Sequence, residues 1–102
     1  EAVPPGVTRV RIDESLTVIP ASAFRENRHI EEVKCHVDVK TVGRWAFYEC
    51  PSLRRAIMPG VEIVEREAFA DCDALAYVEC VKLEIIRKHA FSDCKSLTSI
   101  DL

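Results

Sequence analysis

The chain has few glycines, no long apolar run and no excess of positive charge. With three glycines in 102 residues, it offers little scope for a glycine-rich loop of the kind that binds phosphate. No apolar run approaches the ~20 residues that a membrane-spanning helix needs, so we predict no membrane insertion. The net charge of -3, with both signs interspersed, argues against nucleic-acid binding, which uses a basic stripe.

Cysteine is present, but its arrangement does not indicate a metal site or a disulfide framework. None of the five cysteines belongs to a CxxC pair, the spacing typical of structural zinc sites, and an odd number fits poorly with paired disulfides. Cys50, Cys72 and Cys94 recur at one spacing, and we interpret them as small, buried, reduced side chains. A thiol-dependent redox protein that uses these three is an alternative. The sequence predicts no metal and no cofactor.

The sequence does contain a repeat of 22 or 23 residues. The dipeptide Ala-Phe falls at positions 23–24, 46–47, 68–69 and 90–91. An apolar residue stands four positions before each Ala, and Asn27 or a cysteine stands three positions after each Phe. An amphipathic helix could produce some of this spacing but not its recurrence at a fixed period. We therefore predict stacked units that share one core.

Each unit is predicted to have three parts. The first is a short extended piece: Val18–Ile19, Thr41–Val42, Ile63–Val64 or Ile85–Ile86. It leads into a compact turn, such as 66–72, which has helical spacing but only about two turns of length. A strand follows, at 32–36, 55–58, 77–81 and 99–102, and the alternating residues 7–12 are the strand of an earlier, incomplete copy. We predict a leading tail at residues 1–6 and a single domain at 7–102.

No group of residues indicates catalysis. Cys35 and His36 are adjacent on a predicted strand, so their side chains point to opposite faces and cannot form a nucleophile–base pair. The repeat position of His89 is held by unrelated residue types in the other copies: Ser22, Trp45 and Glu67. We predict no catalytic residue and conclude that the chain is not an enzyme.

An acidic residue recurs two positions after each Phe: Glu26, Glu49, Asp71 and Asp93. We call these four residues the acidic column. Charged side chains are most often solvated, so we interpret the column as surface charge. A cation site on it is the alternative.

The predicted strands share the pattern L-x-x-[VIA]-x-[LMC], which resembles the leucine-rich repeat, and the whole unit resembles the BspA-type variety of that family. The residues that carry the resemblance, together with their equivalents in the other units, are Ala46, Phe47, Cys50, Leu53, Ala56, Met58, Pro59 and Val64. The resemblance covers residues 10–102. The first unit departs most, with Asn27 for Cys and Ile30 for Leu.

The family resemblance implies an α/β fold and a binding function. The expected architecture is a right-handed solenoid of about four turns of 22–23 residues, with short parallel strands on its concave face. The resemblance also implies binding of a protein partner, and a cell-surface or extracellular location in microbes. An odd number of free cysteines instead favours an intracellular location. The chain could be one part of a longer repeat array.

The concave face is where we predict that a partner binds. Side chains alternate along a strand, so residues flanking the inward apolar positions face this side, and they do not have to repeat for folding. They provide an apolar centre with a charged rim, as binding surfaces often do. The predicted partner-binding residues are Arg9, Arg11, Glu32, Lys34, His36, Arg55, Ile57, Pro59, Tyr77, Glu79 and Val81. Trp45 and Tyr48 form a rival patch on the opposite side.

The last predicted strand suggests a second mode of association. A terminal solenoid unit without a polar cap exposes core residues and an unpaired strand edge. Leu97, Ile100 and Leu102 are therefore predicted as a possible self-association edge. A structural, homo-oligomeric repeat segment is the alternative to a protein-binding module.

Overall fold

The computed structural model describes residues 8–101, with the backbone alone at Asp101. The predicted leading tail at 1–6 lies outside the described residues, as do Val7 and Leu102. The described part forms nine short strands. They are β1 (Arg9–Arg11), β2 (Val18–Ile19), β3 (Glu32–Lys34), β4 (Thr41–Val42), β5 (Arg55–Ile57), β6 (Ile63–Val64), β7 (Tyr77–Glu79), β8 (Ile85–Ile86) and β9 (Ser99–Asp101).

The strands form two parallel sheets that run along the same stack of coils. One sheet has five strands in the order β1-β3-β5-β7-β9, and the other has four in the order β2-β4-β6-β8. Each coil passes through one strand of each sheet and then through a turn that holds Ala-Phe, here called the Ala-Phe turn. Four such coils are complete, and β9 begins a fifth. The four short extended pieces predicted from the sequence are confirmed as β2, β4, β6 and β8.

The predicted α/β class is wrong, because residues 8–101 contain no helix. The chain is a β-solenoid of about four turns with two parallel sheets. Three strands of the five-stranded sheet are also shorter than predicted, since β3, β5 and β7 end at Lys34, Ile57 and Glu79. The right-handed sense and the concavity of the five-stranded sheet stay predictions.

The Ala-Phe turn is not helical because its backbone bonds to the next coil. The N–H groups of Phe24, Phe47 and Phe69 each donate to the carbonyl of the alanine one coil further on, at 2.7–2.8 Å. A helix would instead direct these donors to carbonyls four residues earlier in the same segment. The helical spacing in the sequence therefore reflects a stack of turns.

This backbone requires left-handed residues that are not glycine. Each Ala-Phe turn has positive φ at the residue before Ala and at its member of the acidic column: Ser22, Glu26, Trp45, Glu49, Glu67, Asp71, His89 and Asp93, with φ between 53° and 61°. A left-handed conformation costs an L-residue about 1–2 kcal/mol. Hydrogen bonds and packing between coils have to offset that cost.

The core consists of columns of equivalent residues. The four phenylalanines stack with ring centroids 5.0–5.2 Å apart and interplanar angles of 4–13°. Phe47 and Phe69 in the middle coils are fully buried, whereas Phe24 and Phe91 at the ends are half-buried. Offset stacking of aromatic rings adds about 0.5–1.5 kcal/mol per pair beyond area burial. The phenylalanine column therefore holds successive turns in register.

The cysteine column adds a hydrogen bond between coils. Each thiol donates its S–H to the backbone carbonyl of the phenylalanine one coil earlier: Cys50 to Phe24, Cys72 to Phe47 and Cys94 to Phe69, at 3.0–3.1 Å. Asn27 holds the equivalent position in the first coil, and its side-chain oxygen accepts from the N–H groups of His29 and Ile30. The departure at Asn27 is thus a local cap on the turn.

The thiols are free. The surroundings of Cys35, Cys72 and Cys94 disfavour ionisation, whereas the hydrogen bond with Cys72 lowers the pKa of Cys50. Cys50 and Cys72 are fully buried, as predicted, but Cys94 in the fourth coil is half-buried. Burial raises the pKa of Cys94 to about 11 and that of Cys35 to about 12. Contact with the Cys50 thiol, together with burial, raises the pKa of Cys72. Because the thiolate is the nucleophile, the raised pKa values of Cys72 and Cys94 argue against the redox alternative at these two positions.

Substitutions at Glu49 test the left-handed backbone. Glu49 has φ 53°, and valine tolerates that conformation poorly whereas glycine adopts it freely. We expect Glu49→Val to lower the free energy of unfolding by about 1–2 kcal/mol relative to Glu49→Gly. Both variants remove the same charge, so denaturant titration isolates the backbone term. Arg66 lies outside the left-handed set, so Arg66→Gly should be less stable than Arg66→Val. The same order of stability at Glu49 and Arg66 would contradict this account.

Thiol labelling tests the cysteine column. With a pKa of about 11, Cys94 should be about one-thousandth ionised at pH 8. In the folded protein we expect Cys94 to react slowly, and Cys50 and Cys72 to react only when the chain unfolds. Mass spectrometry after timed alkylation measures this, with the denatured chain as control. Rapid labelling of all three thiols in the folded protein would be incompatible with a buried column.

Candidate interaction surface

The five-stranded sheet brings the predicted strand residues together on one outward face, here called the outer sheet face. Two columns in parallel register form it. One column consists of Arg9, Glu32, Arg55, Tyr77 and Ser99, and the other of Arg11, Lys34, Ile57, Glu79 and Asp101. The apolar column Val10, Val33, Ala56, Val78 and Ile100 runs between them; Val33, Ala56 and Val78 are fully buried in the core, Val10 is half-buried and Ile100 is exposed.

The three other predicted residues, His36, Pro59 and Val81, lie just beyond the strand ends. The ring of His36 is held locally. Its Nε2 lies 3.2 Å from the carbonyl oxygen of Asp13, and its Nδ1 accepts from the N–H of Asp38 at 3.2 Å. This arrangement fits a neutral imidazole that donates from Nε2. These residues therefore form a rim beside the outer sheet face.

The first column is paired internally. The carboxylate of Glu32 lies 3.4 Å from Arg55 and 3.9 Å from Arg9. The guanidinium of Arg55 also lies 5.6 Å from the centre of the Tyr77 ring, a cation–π contact. The side chain of Glu32 is 26% exposed and that of Arg9 is 85% exposed. The middle of this column is therefore ordered before any partner binds.

The second column contains two neighbouring cations. Arg11 and Lys34 are register neighbours on β1 and β3, and both are exposed. None of the ion pairs in residues 8–101 involves either of them. Like charges directly opposite each other destabilise a sheet. Half-buried Ile57 and Glu79 continue the column, so its charge changes sign along the solenoid.

The rival patch at Trp45 and Tyr48 is covered by the chain's own side chains. The guanidinium groups of Arg25 and Arg44 lie 4.8 and 4.3 Å from the centre of the Trp45 ring. The indole N–H donates to Glu67 at 3.0 Å, and Arg25 also lies 5.3 Å from the Tyr48 ring. A partner would have to displace these contacts before it reached the aromatic rings.

Sequence reasoning missed a column, apolar except for one threonine, on the outside of the four-stranded sheet. It consists of Val18, Thr41, Ile63 and Ile85. Val18 and Ile85 are 44% and 37% exposed. The extended pieces were identified in the sequence, but two residues per unit gave no signal that they would pair as a sheet with a solvent side.

The acidic column lines a groove that is also lined by cationic side chains. Arg28 and Lys95 line the groove together with the acidic column, Pro51 and Asp73. Within residues 8–101, no cluster of three or more His, Cys, Asp and Glu side chains is arranged to hold a metal ion.

The structure also has no helix in its described part that is long and apolar enough to cross a membrane.

Core residues are exposed at the end of the fourth coil. Ile86 is 52% exposed and Ile100 is 37% exposed, and Leu97 is half-buried. The equivalent residues of the middle coils, Val42, Leu53, Ala56, Val64, Leu75 and Val78, are fully buried. Two residues of the predicted self-association edge, Leu97 and Ile100, are therefore less buried than their equivalents in the middle coils, while Leu102 lies outside the described residues.

Comparison with known proteins gives a consistent assignment. The family described as "BspA type Leucine rich repeat region (6 copies)" matches residues 6–102. A leucine-rich repeat protein from Bacteroides ovatus ATCC 8483 has a similar structure, with a TM-score of 0.83 and 28% identity over 93% of this chain. A leucine rich cell surface protein from Faecalibacterium prausnitzii A2-165 matches with a TM-score of 0.61 and 22% identity, also over 93% of this chain. No curated protein matches.

The chain is short beside these two structures. It spans 25% of the Bacteroides protein and 32% of the Faecalibacterium protein. Solenoids of this kind are built by adding coils, so the similarity concerns a stretch of coils within each of the longer proteins.

A double-mutant cycle tests the ion pairing of Glu32 within the first column. We expect a coupling of about 0.5 kcal/mol between Glu32 and Arg55, and a coupling near zero between Glu32 and Arg9, because exposed ion pairs contribute little. Glutamine replaces each residue in turn, and urea unfolding supplies the free energies. A larger coupling to Arg9 than to Arg55 would contradict the observed geometry.

Proposed function

The chain belongs to the BspA-type leucine-rich repeat family, and from this premise we propose that it is a non-catalytic module that binds a protein partner through the outer sheet face. The observation that carries the proposal is the contrast between its columns. The inward column is apolar in coil after coil, with Val10, Val33, Ala56 and Val78, whereas the outward columns combine Arg, Lys, Glu, Ile and Tyr. Folding does not require this variety, and a specific binding surface does.

The chemistry of the outer sheet face supports protein binding. Ile57, Pro59 and Tyr77 are half-buried and Val81 is exposed, so apolar surface lies beside charged side chains. Tyrosine and arginine are favoured where binding energy is concentrated, and Arg55 already stacks on Tyr77. The Trp45 patch is the weaker candidate because its indole is occupied by contacts within the chain.

We include a cell-surface location in the proposal on the basis of the family resemblance. Free cysteines favour a reducing compartment as a rule. Here, however, the thiols are buried or half-buried, and burial raises the pKa of Cys35 and Cys94. Thiols of this kind oxidise slowly because little thiolate forms. Their presence is therefore compatible with an oxidising environment.

A structural, self-associating repeat segment is the second candidate function. The exposure of Ile86 and Ile100 favours it, because adjoining exposed apolar side chains can mark a contact with another protein chain. This candidate uses the end of the stack and the first candidate uses its side, so one chain could have both functions.

Paired substitutions test the choice of face. The double variant Ile57→Asp, Tyr77→Ala should reduce capture of protein partners from a source-cell surface extract at least about tenfold, as loss of a binding hot spot does. Trp45→Ala should leave capture unchanged. Circular dichroism confirms that each variant folds, and quantitative mass spectrometry measures capture. Capture that survives the double variant but is lost in Trp45→Ala would place the binding site on the opposite side.

A further inference from the structure

The outer sheet face carries a local excess of positive charge on strands β1, β3 and β5. Four cations and one carboxylate face outward there: Arg9, Arg11, Lys34, Arg55 and Glu32. Four positive charges and one negative charge leave a net charge of +3 on this part of the face, whereas the whole chain has a net charge of -3. The charge of this surface is therefore opposite in sign to that of the chain.

The two columns differ in how their cations are paired. Glu32 lies within 4 Å of both Arg9 and Arg55, so the first column holds its own counter-ion. Arg11 and Lys34 are register neighbours on adjacent strands, which lie about 4.8 Å apart, and the ion pairs of residues 8–101 include neither of them. A carboxylate placed between these two cations would relieve their repulsion and add two attractions.

The carboxylate that lies closest in sequence on β1's side of the rim has another partner. Asp13, two residues after Arg11, accepts a hydrogen bond from the N–H of Ser15 at 2.8 Å. Its own carbonyl oxygen lies 3.2 Å from the ring of His36. Asp13 is therefore part of a local turn beside the strand, and the cation pair stays accessible to a carboxylate from another molecule.

Apolar side chains follow the cation pair along the sheet. Ile57 is the register neighbour of Lys34, and Tyr77 is the register neighbour of Arg55. Both Ile57 and Tyr77 are half-buried, and the contact of Arg55 with the Tyr77 ring at 5.6 Å orders this part of the surface. The structure thus places an apolar contact surface directly after a surface that attracts a carboxylate.

A carboxylate closes the other side of the apolar surface. Glu79 is the register neighbour of Ile57 on β7 and is half-buried. The second column therefore reads, coil by coil, as two cations, one apolar residue and one anion. A ligand with a carboxylate is attracted on one side of Ile57 and repelled on the other. This asymmetry gives the surface a direction.

We propose that the outer sheet face binds an extended segment of a protein partner in which an acidic residue and a large apolar residue stand two or three positions apart. The carboxylate lies between Arg11 and Lys34, and the apolar side chain packs on Ile57 and Tyr77. This inference rests on the proposed function, because it names the chemistry of the partner that the same face takes.

The spacing of the strands sets the spacing within the segment. From the midpoint of the cation pair, Ile57 is one and a half strand separations away, about 7 Å, and the midpoint of Ile57 and Tyr77 is about 10 Å away. An extended β segment covers about 7 Å in two residues. A polyproline II segment covers about 9 Å in three. Both conformations therefore bring an acidic and an apolar side chain to the two surfaces together.

The same cations would also attract a polyanion such as a sulfated polysaccharide. A uniformly charged chain is best bound by cations at every level that it crosses. The second column instead has Ile57 at the third level and Glu79 at the fourth. The pattern of charge therefore favours a protein segment that combines one acidic and one apolar group.

Selection from a library of random, displayed heptapeptides tests the proposal on the 102-residue chain. We expect the enriched peptides to contain Asp or Glu two or three positions from Phe, Trp, Tyr, Leu or Ile. Their binding should be lost in the double variant Ile57→Asp, Tyr77→Ala, which circular dichroism shows to be folded or not. Synthetic copies of the enriched peptides, labelled with a fluorophore, then serve as probes in anisotropy titrations.

Charge removal tests the role of the cation pair. The double variant Arg11→Gln, Lys34→Gln should bind a selected peptide about tenfold more weakly at low salt, and its binding should depend less on salt concentration. The matched control is Arg66→Gln, Lys88→Gln, which also removes two exposed cations from successive coils, but on the Ala-Phe turns. The control should bind like the wild type. Equal weakening in both double variants would mean that overall charge, and not this pair, attracts the peptide.

Charge reversal at Glu79 tests the direction of the surface by a gain of binding. Wild-type chain should disfavour peptides with a carboxylate on both sides of the apolar residue. Glu79→Lys should bind such peptides about threefold to tenfold more tightly than the wild type does, because repulsion becomes attraction. No gain in Glu79→Lys would contradict the proposed direction.

The possible outcomes separate this inference from the proposed function. Enriched peptides that depend on Ile57 and Tyr77 but contain no acidic residue would overturn the inference and leave binding through the outer sheet face intact. If no enriched peptide depends on this face, the inference is wrong, and capture of a folded partner by the same face would still support the proposed function. Dextran sulfate that binds the wild type and the Ile57→Asp, Tyr77→Ala variant alike, but not Arg11→Gln, Lys34→Gln, would identify a polyanion site instead.

Discussion

The fold depends on the hydrogen bonds that each Ala-Phe turn makes to the next coil, in addition to those within the turn itself. Those bonds require left-handed backbone at two non-glycine residues in every turn, a conformation that an isolated unit would not hold. The phenylalanine and cysteine columns stabilise the same stack, because ring faces ring and each thiol donates to the previous turn. These columns explain the fixed period of the sequence, because residues of successive coils come into contact only when they hold equivalent positions in the repeat.

Much of this architecture can be predicted from the sequence. Period, family and the two-residue strands follow from recurring residues, because a column has to be filled alike in every coil. The conformation of the Ala-Phe turn does not follow. Its spacing equals that of a short helix, and its left-handed positions carry residues as different as Trp45 and Glu67. No local preference marks them, since contact with neighbouring coils selects the conformation.

The candidate surface was predictable in part. Alternation along the strands places Arg9, Glu32, Arg55 and Tyr77 in one column, and the structure has them in register. The internal pairing of Glu32 and the cover over Trp45 depend on side-chain directions that spacing does not define. The outward side of the four-stranded sheet was missed because its strands are only two residues long.

Amide hydrogen exchange at dilute, monomeric concentration tests the stacked turns most directly. The N–H groups of Phe24, Phe47 and Phe69 donate to the next coil, whereas Phe91 in the fourth turn has no acceptor among the described residues. The account predicts slow exchange at Phe47 and Phe69 and fast exchange at Phe91, measured residue by residue by NMR. Equal protection at Phe47, Phe69 and Phe91 would contradict it, because donors bonded within their own turn would not depend on a following coil.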